Sequence, residues 1–140
     1  MNSTKCHSIK AIIIVISLCF STAIFAQSTQ NQITQGQKLL IHQVYFWMKP
    51  NMSSDQIALF EKGVKSLLTI KSVKFGDVGK PANTPVRAVV DNSYSYALTV
   101  MYDDVAAHDT YQSDPIHLQF LKDCSQLWTN VQVYDSFSIK

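Results

Sequence analysis

The chain has 140 residues, with 12 basic and 10 acidic side chains and a formal net charge of +2, which suits a single domain. Loss of an N-terminal leader containing Lys5 and Lys10 would leave ten basic residues against 10 acidic ones. A nearly neutral chain without a basic run excludes nucleic acid and acidic membrane surfaces as expected partners.

The first 26 residues have the order of a secretory signal peptide. Lys5 and Lys10 precede an apolar run over residues 11–20, and small residues lead to Ala26. We therefore expect cleavage near Ala26, a flexible polar leader over 27–38 and one domain over 39–140. The mature protein would be secreted or periplasmic, in a bacterial cell envelope, with no stable membrane association. An uncleaved anchor is the alternative, although the run is short for a membrane span.

Residues 40–48 are rich in β-branched and aromatic side chains and predict a first strand. Alternation places Leu40, His42, Val44, Phe46 and Met48 on one face, and Ile41, Gln43, Tyr45 and Trp47 on the other. Neither face is polar, so helices on one side only would leave Tyr45 and Trp47 in water. We expect the second face to meet the sheet of a second copy.

A capping-box pattern at Ser53 and Gln56 predicts the start of the first helix. The apolar stripe of this helix is Ile57, Phe60, Val64, Leu67 and Leu68. Residues 73–79 predict a second strand, and residues 80–92 a loop with a short extended piece over 88–90. Strict alternation over residues 94–102 predicts the third strand.

The second half of the chain predicts two helices and a strand. Asp103 or Asp104 caps a helix over 105–112, and Asp114 with Pro115 starts another that runs to about Trp128. Its inward stripe is His117, Phe120, Leu121, Cys124 and Trp128. Residues 131–137 close the domain as a strand. This order predicts an α+β, ferredoxin-like split βαβ fold with helices on one face of an antiparallel sheet.

The corner at Asp114 brings together the two side chains best suited to chemistry. His117 would lie in a first helical turn, where the positive dipole end favours the neutral imidazole and hence a general base. Tyr111 would donate a hydrogen bond to a substrate oxygen as negative charge develops on it. The alternative is a hydrogen-bonded core pair with no catalytic role. His42 alone, among apolar neighbours, is predicted to be a satisfied core histidine.

Metal, disulfide and cofactor sites are not predicted. His42, His108 and His117 show no tight ligand spacing, and His108 is interpreted as a surface residue. Cys124 would be the only cysteine left after cleavage, and its place on the helical stripe predicts a buried, inert thiol.

In their order and spacing, several segments resemble the stress-responsive A/B barrel (Dabb) domain. They are His42 to Pro50, Phe60 with Gly63 and Leu67, Tyr96 to Val100, Tyr111 to His117 with Phe120, and Val133 to Asp135. The resemblance spans roughly residues 39–140. It implies a ferredoxin-like fold that dimerises sheet to sheet into an α/β barrel.

What the resemblance implies about function is less uniform. Many Dabb members have no known activity, and some plant members resemble stress-induced proteins. One plant branch is a polyketide cyclase that performs an aldol condensation without a cofactor, and its site residues correspond to Tyr111, His117 and His42. At the position of Tyr96 that branch has a further histidine, so this chain departs from the cyclase pattern there. Together with Phe120, Tyr96 is predicted to line a ligand pocket.

Two functional classes follow from these observations. The first is an exported homodimeric module, related to stress or to binding a small apolar or aromatic ligand. The alternative is a cofactor-free acid/base lyase or cyclase that uses His117 and Tyr111. A cavity beside these two residues would favour the enzyme, whereas a filled core would favour the module. A monooxygenase, a third idea, rests on analogy of fold alone.

Overall fold

The computed structural model describes residues 38–139; the predicted signal peptide over 1–26 and most of the predicted leader lie outside this range. The elements are β1 (Leu40–Met48), α1 (Ser54–Ser66), β2 (Phe75–Gly79), β3 (Tyr96–Tyr102), α2 (Val105–Ser113), α3 (Pro115–Cys124) and β4 (Trp128–Phe137). Short 3-10 turns follow α1 at Leu67–Thr69 and α3 at Ser125–Leu127. The predicted order of strands and helices is confirmed.

The four strands form one antiparallel sheet in the order β2-β3-β1-β4. The central strands are β1, which is rich in β-branched and aromatic residues, and β3, which has the clearest alternation in the sequence. In β1 the register opposes His42 to Val100 on β3 and to Asp135 on β4. This pairing brings the last strand, far away in the sequence, beside the first, and it completes the predicted ferredoxin-like α+β arrangement.

The core lies between the helices and one face of the sheet. Phe60 of α1 is fully buried and meets the rings of Phe46, Tyr96 and Phe120 at centroid distances of 5.3, 4.8 and 5.9 Å. The buried aromatic cluster supplies a large share of the apolar area that holds the helices on the sheet. Ile57, in the first turn of α1, is 39% exposed and lies outside this core.

Helix boundaries follow the sequence signals at three N-termini. Ser53 and Gln56 form the predicted capping box, and the Asp104 side chain accepts a hydrogen bond from the Ala107 N–H. Asp114 accepts from the Ile116 N–H at 2.8 Å, with Pro115 as the first helical residue. Asp114 and Pro115 therefore determine where α3 begins, and with it the position of His117 in the first turn.

Two local predictions are wrong. The third helix ends at Cys124 instead of reaching Trp128, because Trp128 pairs with Met48 as the first residue of β4. Residues 88–90 form no extended piece, because the Val90 N–H bonds the Arg87 carbonyl and closes a turn. In both places the local pattern of residue types predicted one secondary structure. Hydrogen bonds to other residues stabilise a different one.

Candidate functional site

The corner between α2 and α3 sets Tyr111 against His117. The Asp114 N–H donates to the Tyr111 carbonyl at 3.2 Å, which closes α2 directly before α3 begins. As a result the rings of Tyr111 and His117 lie 4.8 Å apart between centroids. The structure thus brings together the two residues that the sequence singled out.

One hydrogen bond defines the tautomer of His117. Its Nδ1 lies 3.1 Å from the carbonyl oxygen of Gln112, and because a carbonyl only accepts, Nδ1 must carry the proton. The lone pair is then on Nε2. Burial lowers the pKa of His117 below 6.5, against the opposing effect of the Gln112 carbonyl. At neutral pH the ring is therefore neutral and able to accept a proton.

Tyr111 is suited to the opposite role. Its side chain is buried, and burial raises the pKa of its hydroxyl well above 10. The hydroxyl therefore remains protonated at neutral pH and can donate a hydrogen bond. A neutral base and a protonated donor side by side form the usual pair for proton transfer next to a carbonyl group.

His42 is buried on β1 and bonded to a carboxylate that the sequence reading missed. Its Nδ1 lies 2.7 Å from Oδ1 of Asp135, opposite it on β4. Burial lowers the pKa of His42, and the bond to Asp135 opposes this shift only in part. His42 is therefore neutral at neutral pH and donates its Nδ1–H to the carboxylate. The His42 ring lies 6.2 Å from that of Tyr111.

His108 belongs to the same group, which corrects its interpretation as a surface residue. Its side chain is only 18% exposed, and its ring centroid lies 5.2 Å from that of His42. The side-chain nitrogen of Gln112 lies 3.0 Å from His108 Nε2. The sequence did contain a signal that His108 lies near Tyr111. His108, Tyr111 and Gln112 recur at helical spacing and therefore share a face of α2.

An open cavity of about 220 Å³ lies beside this group. His42, Tyr111 and His117 all border it, and its other walls are mostly apolar: Val44, Phe46, Leu67, Leu98, Gln112, Phe120, Leu121, Trp128, Val131 and Val133. The predicted pocket residue Phe120 is among them. The cavity lies between the helices and the β4 side of the sheet, where Val131 and Val133 are each 40% exposed.

Tyr96, the other predicted pocket residue, does not border this cavity. Its ring packs on Phe60, and its hydroxyl donates to Glu61 at 2.8 Å. Lys80 bonds the same carboxylate at 2.8 Å and lies over the Tyr96 ring. Tyr96 therefore closes the core below the loop after β2 and lies apart from this cavity.

The opposite face of the sheet carries a second aromatic surface. Tyr45 packs edge-on against Tyr94 and Tyr134, with ring centroids 5.0 and 6.1 Å away. With Trp47 these residues border a shallow depression of about 390 Å³. Tyr134 is 58% exposed and the other three rings are half-buried, so the described chain leaves this aromatic face partly in water.

A family comparison matches nearly all of the described domain. The sequence pattern of the Stress responsive A/B Barrel Domain, Dabb, covers residues 40–138. The chain belongs to the Dabb family. The resemblance inferred from the residues is thereby confirmed. No curated protein matches the chain.

Solved structures with low sequence identity share the fold. A Dabb family protein from Mesorhizobium loti has a TM-score of 0.59 at 21% identity, over 74% of this chain and 100% of its own. The hydroxynitrile lyase of Passiflora edulis has a TM-score of 0.62 at 19% identity, over 74% and 96%. A dimeric ferredoxin-like protein of unknown function from Thermobifida fusca has 0.60 at 15%, over 76% and 97%.

Within residues 38–139, none of the helices has the length and apolar character needed to span a bilayer.

Proposed function

We propose that this Dabb protein is a cofactor-free acid/base lyase that makes or breaks a carbon–carbon bond next to a carbonyl group. The proposal rests on one observation: both Tyr111 and His117 border an open cavity. A non-catalytic module would not need a base and a donor on the wall of an otherwise apolar cavity. A filled core at this position would have supported the module instead.

The proposed chemistry needs only proton transfer. For an aldol-type adduct, Nε2 of His117 takes the proton of the β-hydroxyl group as the carbon–carbon bond breaks. The hydroxyl carbon becomes a carbonyl, and the bond electrons pass into an enolate whose oxygen accepts a hydrogen bond from Tyr111. The imidazolium then returns the proton to the enolate carbon, which leaves the enzyme unchanged. The reverse sequence is the condensation that a cyclase performs.

The size and lining of the cavity support a small substrate. Its 220 Å³ is below the roughly 300–1,000 Å³ typical of drug-sized ligands. Val44, Leu98 and Phe120 favour a small apolar or aromatic carbonyl compound over a long polyketide. A lyase reaction is therefore favoured over a cyclase reaction. The hydroxynitrile lyase among the structural relatives supports this choice as an example of a lyase on the same fold.

We also propose that the protein is a homodimer through the sheet face that carries Tyr45, Trp47, Tyr94 and Tyr134. This partly exposed aromatic surface supports the proposal because monomers rarely leave contiguous apolar patches in water. The ferredoxin-like relative from Thermobifida fusca is described as dimeric.

Hydrogen–deuterium exchange tests the acid/base reaction without knowledge of the natural substrate. Small ketones and aldehydes, including propiophenone and phenylacetaldehyde, are incubated with the protein in D₂O, and loss of their α-proton signals is followed by NMR. Release of benzaldehyde from its cyanohydrin and from its acetone aldol adduct is followed by ultraviolet absorbance. Exchange or release above the buffer rate is the expected result.

Three variants assign the activity to the site. His117→Gln and Tyr111→Phe are each expected to lower the rate at least about 100-fold, the usual contribution of a general base or an oxyanion donor. Lys122→Ala, at an exposed position on α3, is the matched control and should leave the rate unchanged. Equal rates for wild type and His117→Gln on every probe would contradict the proposal.

A further inference from the structure

Three potential metal-binding side chains from distant parts of the chain meet at the edge of the cavity. His42 on β1, His108 on α2 and Asp135 on β4 each offer one nitrogen or oxygen atom, and these atoms lie within 4.8 Å of one another. His42 is 5% exposed, whereas the Asp135 side chain is 50% exposed. The group is thus anchored in the core and open to solvent at one side, which provides an entry path for an ion.

The three donor atoms lie 2.7 Å apart in one pair and within 4.8 Å in the others, so an ion would require moderate adjustment. Two ligands at about 2.1 Å from a tetrahedral ion lie about 3.4 Å apart. His42 Nδ1 and Asp135 Oδ1, now 2.7 Å apart, would separate slightly as an ion replaces the hydrogen bond between them. His42 would keep one proton by changing tautomer, so the ring stays neutral. The half-exposed Asp135 side chain has freedom to adjust.

The neighbours of His108 match the surroundings of a metal-bound histidine. Such a ring usually donates the N–H of its second nitrogen to a carboxylate or a backbone carbonyl. In this chain Asp109 Oδ1 lies 3.3 Å from His108 Nδ1, so an Nδ1–H can donate to it and orient the ring while Nε2 binds an ion. The side-chain nitrogen of Gln112, now 3.0 Å from His108 Nε2, would move aside as the ion takes the Nε2 lone pair.

A buried tyrosine hydroxyl lies beside the same group. Tyr102 is fully buried, and burial raises the pKa of its hydroxyl, as do the neighbouring Tyr111 hydroxyl and the Asp135 charge. The Tyr102 ring lies 5.5 Å from that of His108. A protonated hydroxyl therefore borders the three side chains on their buried side.

We propose that His42, His108 and Asp135 bind one divalent transition-metal ion, with Zn²⁺ the best match to the donor set. Two imidazole nitrogens and one carboxylate oxygen are a typical set of protein ligands for Zn²⁺, with the fourth position left to water. The site uses neither His117 nor Tyr111, and it reverses the expectation of no metal drawn from the sequence. Because His42 also borders the cavity, the ion would lie next to the proposed reaction site.

Direct binding measurements on the tag-free full chain test this proposal. Co²⁺ serves as a visible probe because its absorption reports its coordination geometry, and Zn²⁺ is then used to displace it. We expect one Co²⁺ per chain with bands typical of tetrahedral nitrogen and oxygen coordination. His108→Ala and Asp135→Asn should each weaken binding at least about tenfold, as loss of a metal-site partner does.

Two histidine controls keep the test specific. His117→Ala removes a histidine next to the cavity, and His7→Ala removes one outside the described residues; both should bind Co²⁺ like the wild type. Thermal melts in EDTA check that each variant is folded. Binding unchanged in His108→Ala, or lost equally in His7→Ala, would overturn the proposal.

The metal proposal and the proposed lyase activity fail independently. Metal binding is read by absorbance, whereas the exchange reaction is measured in EDTA as well as with Zn²⁺. Exchange that persists in EDTA supports the cofactor-free reaction whatever the Co²⁺ titration shows. Co²⁺ binding without exchange supports the metal site alone.

Discussion

The Nδ1 atom of His42 lies 2.7 Å from Oδ1 of Asp135, although 93 residues separate them in the chain. The contact exists because β1 and β4 pair in the register that sets these two positions opposite each other. It joins a buried ring to a half-exposed carboxylate at the border of the cavity. Replacement of either partner therefore affects both stability and the site.

Asp135→Ala is expected to lower the free energy of unfolding by about 1 kcal/mol, the cost of a buried imidazole N–H without its acceptor. The loss of stability is small because the Asp135 side chain is half-exposed and water screens its interaction with His42. Urea unfolding in EDTA measures it, since the chelator removes any contribution from a bound ion. Ser136→Ala, exposed on the same strand, is the control and should change the midpoint little. Equal midpoints for the two variants would show that the bond adds no stability.

Two glycines of β2 should respond differently to the same substitution. A Cβ on Gly76 would lie 2.7 Å from Leu68 Cδ2 and 2.8 Å from Val100 Cγ1, whereas a Cβ on Gly79 meets nothing within 4 Å. Gly76→Ala is expected to destabilise by about 1–3 kcal/mol through overpacking. Gly79→Ala should be neutral or stabilise by up to about 1 kcal/mol, because alanine restricts the unfolded chain. Urea unfolding of both variants checks the prediction, and a stable Gly76→Ala protein would contradict it.

Stability should fall as the pH drops below 6.5. Burial holds the pKa values of His42 and His117 below 6.5 in the folded protein, so the unfolded chain binds more protons in this window. The stability that the two neutral histidines contribute is fully present above pH 6.5. It is lost as the pH falls towards their pKa values in the folded protein. Urea midpoints across this range measure the slope.

The variant His117→Gln should show a flatter slope, because one of the two groups is gone. The pKa values of Glu61 and Asp91 are also lowered, but from 4.5 and 3.8, so these carboxylates act at more acidic pH. A midpoint independent of pH between 6.5 and 5.0 would show that the two histidines titrate normally in the folded state.

Charge on the aromatic sheet face should prevent dimer formation. Trp47→Glu places a carboxylate where the proposed interface excludes water. Thr99→Arg places a guanidinium on the same face of β3 without removal of an aromatic ring. Size-exclusion chromatography with light scattering is expected to show a dimeric wild type and monomeric or insoluble variants. Lys62→Glu, exposed on α1, is the matched charge change on the opposite side and should remain dimeric. A monomeric wild type at micromolar concentration would rule out the sheet-to-sheet dimer.

We propose that the chain is exported and that the mature protein begins near Gln27. The order of basic, apolar and small residues over 1–26 is the reason. The intact mass of protein purified from the native host measures the cleavage site. A mass that includes residues 1–26, found in a membrane fraction, would indicate an anchor instead.

Local chemistry in the sequence was enough to predict much of the fold. β-Branched and aromatic content marked β1, alternation marked β3, and side-chain caps at Ser53, Asp104 and Asp114 marked the three helix starts. Each of these signals involves only a few neighbouring residues, so it can be recognised from the sequence alone. The position of His117 in the first turn of α3, next to Tyr111, followed from the same local rules.

Tertiary structure decided what the sequence could not. The His42–Asp135 bond depends on the register between the first and last strands, and the contact of His108 with His42 depends on how α2 lies on the sheet. The sequence therefore left His108 on the surface, which was wrong, and it placed Tyr96 at the pocket, whereas the Tyr96 ring packs on Phe60 apart from this cavity. The cavity itself is bordered by residues of α2, α3 and three strands, and a space between elements is a property of their arrangement that leaves no pattern in any one element.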